Sequence, residues 1–209
     1  MHFEFEIDST LETQEPYLLT VRQDFSELII HFTSSLILTL DPPVGGMDIL
    51  ASLCSNTLIE QPPTDPVLRH LLPDMSIDPD EAIELRSLTE ETLRYEKAQR
   101  LMKVRQKLAE TLSQNDFAPE IEIPYGQVWE WLSAFNDLRL FLAVRLCELG
   151  GNPELVELDE VYLVEQASLI MDEDSTLNAE NALESVLSLA YLVVSWWQDS
   201  LLEKVNSTL

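Results

Sequence analysis

Residues 123–151 read IPYGQVWEWLSAFNDLRLFLAVRLCELGG, and the fold turns on how this stretch is read. Pro124 suits the first turn of a helix, and Gly150-Gly151 followed by Pro153 ends it. At about 100° per residue, Glu130, Asp137, Arg145 and Glu148 fall on one narrow wet face, with Ser133 at its edge. Trp129, Trp131, Leu132, Phe135, Leu138, Leu140, Leu142, Ala143 and Leu146 cover most of the remainder. A helix apolar over most of its circumference belongs at the centre of a domain, with neighbours around it. Two polar residues interrupt the apolar surface. Arg139 falls opposite Glu130, and Asn136 falls with Trp129, Leu140 and Ala143. A guanidinium in such surroundings needs a partner. Either a buried ion pair fixes the docking of helices, with Glu84 as the first candidate carboxylate, or Asn136, Asp137 and Arg139 build a recessed polar site.

Working outward, the chain alternates helix signals with turns. Phe3, Phe5 and Ile7 alternate with polar residues, and Tyr17–Val21 can pair with them as a small hairpin. Asp24 with Glu27 reads as a capping box opening a helix that ends before Asp41-Pro42-Pro43. A short helix from Met47 to about Asn56 carries Cys54. Asp65-Pro66 launches another short helix, stopped by Pro73. Asp78-Pro79 is a strong helix start, and Thr89 can cap a second, longer helix running to residue 112. Glu120–Ile123 suits a short strand. Beyond the central helix, residues 155–171 and 179–205 read as helices, the latter apolar on most sides and a natural packing partner for the centre. Trp196 and Trp197 cannot both face one core, so one of them is a candidate anchor for a partner.

The expectation is therefore a mainly α, compact helical domain around one central buried helix, with a small N-terminal β-hairpin. The whole chain, 1–209, forms one domain: hairpin in 1–22, helices in 24–113, central helix in 124–149 and C-terminal helices in 155–205.

The charge is uneven. The 209 residues carry a net −26. Residues 1–65 hold 11 acids and one base (−10), residues 66–113 nine acids and eight bases (−1), and residues 114–209 18 acids and three bases (−15). Seven of the twelve Lys and Arg residues lie between Arg86 and Lys107. Arg100, Lys103 and Lys107 project with Glu96 and Glu110 as a solvated face. Arg94, Lys97 and Arg105 point among apolar residues, where they snorkel or meet acids such as Asp137. The acidic flanks disfavour binding to a phosphate backbone.

The start, MHFEFEID, lacks the basic region of a signal peptide, and Val186–Trp197 is too short to span a bilayer. Cys54 and Cys147 are far apart and read as free thiols in a reduced, cytoplasmic protein. His31 has no ligand partner at a metal-binding spacing, and His70, beside Arg69, reads as solvent-facing. Asp172, Asp174, Thr176 and Glu180 have a calcium-like spacing, but Leu177 stands where such a loop needs glycine. No Gly-rich phosphate loop, GxSxG, HExxH or CxxC occurs, and neither cofactor nor metal is expected.

The segments DPVLRHLLPD, EAIELRSLTEETLRYEKAQRL, WLSAFNDLRLFLAVRL and YLVVSWWQDSLLEKV, in that order, resemble an actinobacterial family of unknown function, some of whose members are described as oxidative-stress transcriptional regulators (AosR-type). The matching positions are Trp131, Leu132, Asn136, Asp137, Leu138, Arg139 and Leu140, with Glu84, Arg86, Thr89 and Lys97 upstream. The likeness implies a helical, cytosolic bacterial protein tied to stress-responsive transcription or protein quality control. The chain departs from it in a longer, more acidic segment over 152–181 and in cysteines that form no close motif. The function expected is thus a non-enzymatic regulator that binds a protein partner, with a homodimer as another use of its apolar surface. An enzyme or small-ligand binder using the Asn136/Arg139 recess, or a DNA binder acting through residues 86–107, are the alternatives.

Overall fold

The computed structural model describes residues 16–42, 61–113, 120–150 and 179–208. The expected strand at residues 2–7, the helix carrying Cys54, the helix over 155–171 and nearly all of the acidic turn after it lie outside the described residues.

Strand β1 (Tyr17–Thr20) leads into α1 (Gln23–Leu40). Then come α2 (Pro66–Leu71), α3 (Pro79–Leu112) and strand β2 (Glu120–Ile123). A 3-10 turn over Tyr125–Gln127 introduces the central helix α4 (Val128–Glu148), and α5 spans Ala179–Thr208. The architecture is mainly helical, as the sequence pattern predicts, with one small antiparallel β pair. Among the described residues the partner of β1 is β2, in the register Tyr17↔Ile123 and Leu19↔Ile121. Those four side chains turn inward while Leu18, Thr20, Glu120 and Glu122 turn out, the period of two expected of a half-buried ladder.

Two details of the helix starts differ from expectation. The residue capping α1 is Arg22, with no side-chain cap bond, and Asp24 sits inside the first turn. There its carboxylate favours the positive end of the helix without capping it. The start at Asp78 is as read: its carboxylate accepts from the backbone N–H groups of Asp80 and Glu81, and Pro79 holds the first position. From there one unbroken helix runs to Leu112, where the sequence suggested two. Thr89 caps nothing; its hydroxyl donates back to the Leu85 carbonyl at 2.7 Å, the bond an interior helical threonine makes.

One apolar cluster joins α1, α3, α4, α5 and the strand pair. Helix α1 packs chiefly on α3, and α4 chiefly on α5. Aromatic rings stand where the last two meet: Trp131 meets Phe135 edge-on at 5.8 Å, and Phe135 meets Trp197 at 6.0 Å. The last turn of α4 closes on Gly150, whose φ of +86° is the left-handed conformation that glycine adopts without strain.

Candidate interaction surface and polar recess

Helix α4 does not present the face that its composition suggests. Asp137, assigned to the wet side, is 3% exposed, and Trp129, assigned to the apolar side, is 64% exposed. The reason is a charged neighbour. Helix α3 lies against the acidic face, so that Lys97 Nζ donates to Asp137 Oδ1 at 2.6 Å and Lys103 Nζ to Glu130 at 2.7 Å. What looks like a solvent face is a mating face for another charged helix. The side left outward is then Trp129, Ser133, Asn136, Leu140, Ala143 and Cys147, spaced alternately four and three apart and free of charge. Trp129, Ser133, Asn136 and Cys147 are exposed, while Leu140 and Ala143 are half-buried.

Arg139 corrects a second expectation. It is half-buried and meets no carboxylate among the described residues. Nη1 donates to the Gln198 side-chain oxygen at 2.9 Å and Nη2 to the Tyr191 hydroxyl at 3.3 Å, with the guanidinium carbon 5.4 Å from the Tyr191 ring centre. Glu84 stands exposed near the start of α3 and plays no part. Since water still reaches the group, neutral acceptors and a ring face suffice where a wholly buried cation would demand a counter-ion. Asn136 and Arg139 consequently do not share one recess: Asn136 looks outward, and Arg139 ties α4 to α5.

The buried ionic network lies elsewhere. Arg86, 7% exposed, donates to Glu90 at 2.6 Å, to Asp74 at 2.7 Å and to the Leu72 carbonyl. Glu90, 4% exposed, also accepts two bonds from Arg94, whose Nη1 reaches the Leu40 carbonyl at 2.8 Å. Burial weakens the hold of Arg86 on its proton, but its bonds to Asp74 and Glu90 outweigh this and raise its pKa above the ordinary arginine value. The cluster pins the C-terminal ends of α1 and α2 to α3. The i, i+4 spacing of Arg86, Glu90 and Arg94 is the signal for it in the sequence, where Arg86 and Arg94 stand out but Glu90 does not.

A smaller set joins α2 to α4. Asp65 caps α2 by accepting from the Val67 and Leu68 N–H groups and also accepts from Arg145 at 3.1 Å. Partial burial works against the Asp65 charge, yet the Arg145 hydrogen bond and the two backbone donors hold its carboxyl below the usual range. Arg145 is also bonded to Glu148, and its pKa is raised despite the opposing effect of burial.

The remaining sequence candidates separate cleanly. Trp131 is a core residue at 4% exposure, and Trp197 is fully buried, which removes it as a partner anchor and leaves Trp196, exposed on α5. Cys147 is a free, exposed thiol, and Cys54 lies outside the described residues. His31 and His70 are exposed; His70 Nδ1 bonds the Pro66 carbonyl at 2.8 Å. Among the described residues no group of three metal-ligating side chains comes together, and no helix is long and apolar enough to cross a membrane.

Fold and surface define a class: a helical domain on a central helix, three of whose neighbours are joined to it by polar clasps. More particularly, residues 6–205 match the family model described as a domain of unknown function, DUF2017, and the chain belongs to that family. Comparison with curated proteins and with solved structures gives no match.

Proposed function

We propose that this protein is a non-enzymatic cytoplasmic regulator that works by binding a protein partner, in the setting of stress-responsive transcription that its AosR-type resemblance suggests. The observation carrying this reading is the outward stripe of α4. The central helix leaves an uncharged face running from Trp129 to Cys147, and exposed Trp196 stands on the neighbouring α5. Aromatic anchors bordered by charge are what protein interfaces use, and the net −26 favours a basic or mixed partner surface.

The DNA alternative loses support from the same geometry. Arg86, Arg94 and Lys97 are turned inward onto Glu90 and Asp137, and Lys103 is engaged with Glu130. Affinity for a duplex needs cations free to displace counter-ions.

The test places a photo-crosslinking residue at Ser133, on the stripe, and at Leu88, exposed on α3, with irradiation in the native host. The expected result is one defined adduct from position 133 that is absent from position 88 and is lost on Trp129→Ala. A second copy of the chain in that adduct identifies a homodimer. The same adducts from both positions, or none, refute the reading. So does sequence-specific duplex binding tighter than about micromolar at physiological salt by the purified protein, since ordinary non-specific affinity is weaker than that.

A further inference from the structure

Where α3, α4 and α5 converge, a recess of about 410 Å³ opens to solvent. Its lining is mixed in chemistry. Lys97, Arg100, Asn136 and Gln198 supply hydrogen-bond donors, while Trp129 and Leu202 supply apolar surface. The Lys97 charge is met by Asp137 at 2.6 Å. Arg100 is different. Its closest carboxylate oxygen, Asp137 Oδ2, stands 3.9 Å away, beyond hydrogen bonding, and its buried Nε has no partner. Asp137 Oδ2 is likewise buried without a hydrogen-bond partner.

The contrast along α3 is informative. Arg86, Arg94, Lys97 and Lys103 each hold a carboxylate oxygen within 2.7 Å, in a chain that carries 38 acids. Arg100, like Arg105 and Lys107 further along the helix, is not hydrogen-bonded to a carboxylate among the described residues, and of these three it is the one that lines this recess. The side chains there sum to one surplus positive charge, from two cations and the Asp137 carboxylate. A guanidinium presents paired N–H groups that match one carboxylate in a plane. The adjacent indole and leucine match an apolar body, and the volume lies at the small end of ligand pockets.

We propose that this recess binds a small organic monocarboxylate bearing an aromatic or aliphatic body. The carboxylate sits on Arg100 with the amides of Asn136 and Gln198 as further donors, and the body lies against Trp129 and Leu202. Asp137 behind Arg100 sets the selectivity. It leaves room for one negative charge and repels a second, so that phosphate is disfavoured. This site goes beyond the partner-binding reading, and its test uses the purified chain alone, so either can fail without the other.

The experiment is calorimetric titration of the full chain with phenylacetate, phenylacetamide and inorganic phosphate at physiological salt. Phenylacetate is expected to bind saturably at one site per chain, with neither the amide nor phosphate competing. Arg100→Gln should weaken phenylacetate by about tenfold or more, the loss expected for a charge-assisted hydrogen bond. Trp129→Ala, at a position already exposed, keeps the test decisive if the arginine variant folds poorly: it should weaken phenylacetate while leaving acetate unchanged. Absence of saturable phenylacetate binding overturns the proposal. Equal binding of the amide, displacement by phosphate, or indifference to both substitutions does the same.

Discussion

Replacing Glu90 by alanine is the severest single test of how this fold is held together. The residue is 4% exposed, and its carboxylate receives one hydrogen bond from Arg86, at 2.6 Å, and two from Arg94, at 3.0 and 2.7 Å. Alanine at this position leaves two guanidiniums at a largely dry site. Neither is wholly abandoned. Arg86 keeps Asp74 and the Leu72 carbonyl, and Arg94 keeps the Leu40 carbonyl. Asp74, however, has a side chain 53% exposed, so solvent screens its attraction. Breaking a buried pair from one side costs about 3–5 kcal/mol, and the residual partners place this case near the lower end, about 3 kcal/mol. For a chain of this size about 3 kcal/mol corresponds to a fall in Tm of about 6–12 °C. The assay is urea denaturation followed by tryptophan fluorescence, with a thermal melt beside it. The triple variant Arg86→Met, Glu90→Leu, Arg94→Met should recover most of the loss, because apolar replacement of a whole buried cluster is often neutral or better. A Glu90→Ala protein within about 1 kcal/mol of the wild type refutes the reasoning, since that is the worth of an exposed pair.

Arg139→Ala should cost less, about 1–2 kcal/mol, because it loses two neutral acceptors and a ring face and strands no buried charge; the same urea titration checks it. The depressed Asp65 carboxyl contributes stability above the ordinary carboxylate range and loses it as pH falls through the lowered value. Asp65→Asn, which can still cap α2, should therefore show a shallower decline in stability than the wild type below about pH 4 in acid titrations of the denaturation midpoint. Cys147, exposed and free, should react with iodoacetamide in the native protein. Mild peroxide should not convert Cys54 and Cys147 quantitatively into an intramolecular disulfide, and mass spectrometry reads both outcomes.

The helices were legible where local chemistry decides them. Asp78-Pro79 and Gly150 mark ends that need only near neighbours, and the apolar circumference of α4 announces its central place. The facing of α4 was not legible, because a charged strip reads the same whether it meets water or the opposite charge on another helix. Asp137 went to the wrong side for this reason, and Trp129 went with it. Lys97 and Lys103 were the clue, two cations about two turns apart on one helix, as Glu130 and Asp137 are two acids about two turns apart on another. Arg139 was misjudged through an assumption of full burial, which makes a carboxylate seem obligatory. Thr89 misled because the same residue type that caps a helix from outside bonds back to the i−4 carbonyl from inside. The partner of β1 could not be found locally, as pairing across a long separation leaves no mark in either strand.

That pairing sets a timetable for the growing chain. Tyr17 meets Ile123, so β1 leaves the ribosome roughly a hundred residues before its partner exists. At about 5–20 residues per second the delay is on the order of 5–20 s. Helix α4 then emerges before α5, and its Trp131 and Phe135 must wait for Trp197 to cover them. During synthesis, therefore, the stickiest surface of the molecule is bare while its cover has yet to be made. Nascent chains of this protein should lean on chaperones far more than its small size suggests, and a pause in translation between α4 and α5 should lower the yield of folded protein more than a pause anywhere earlier.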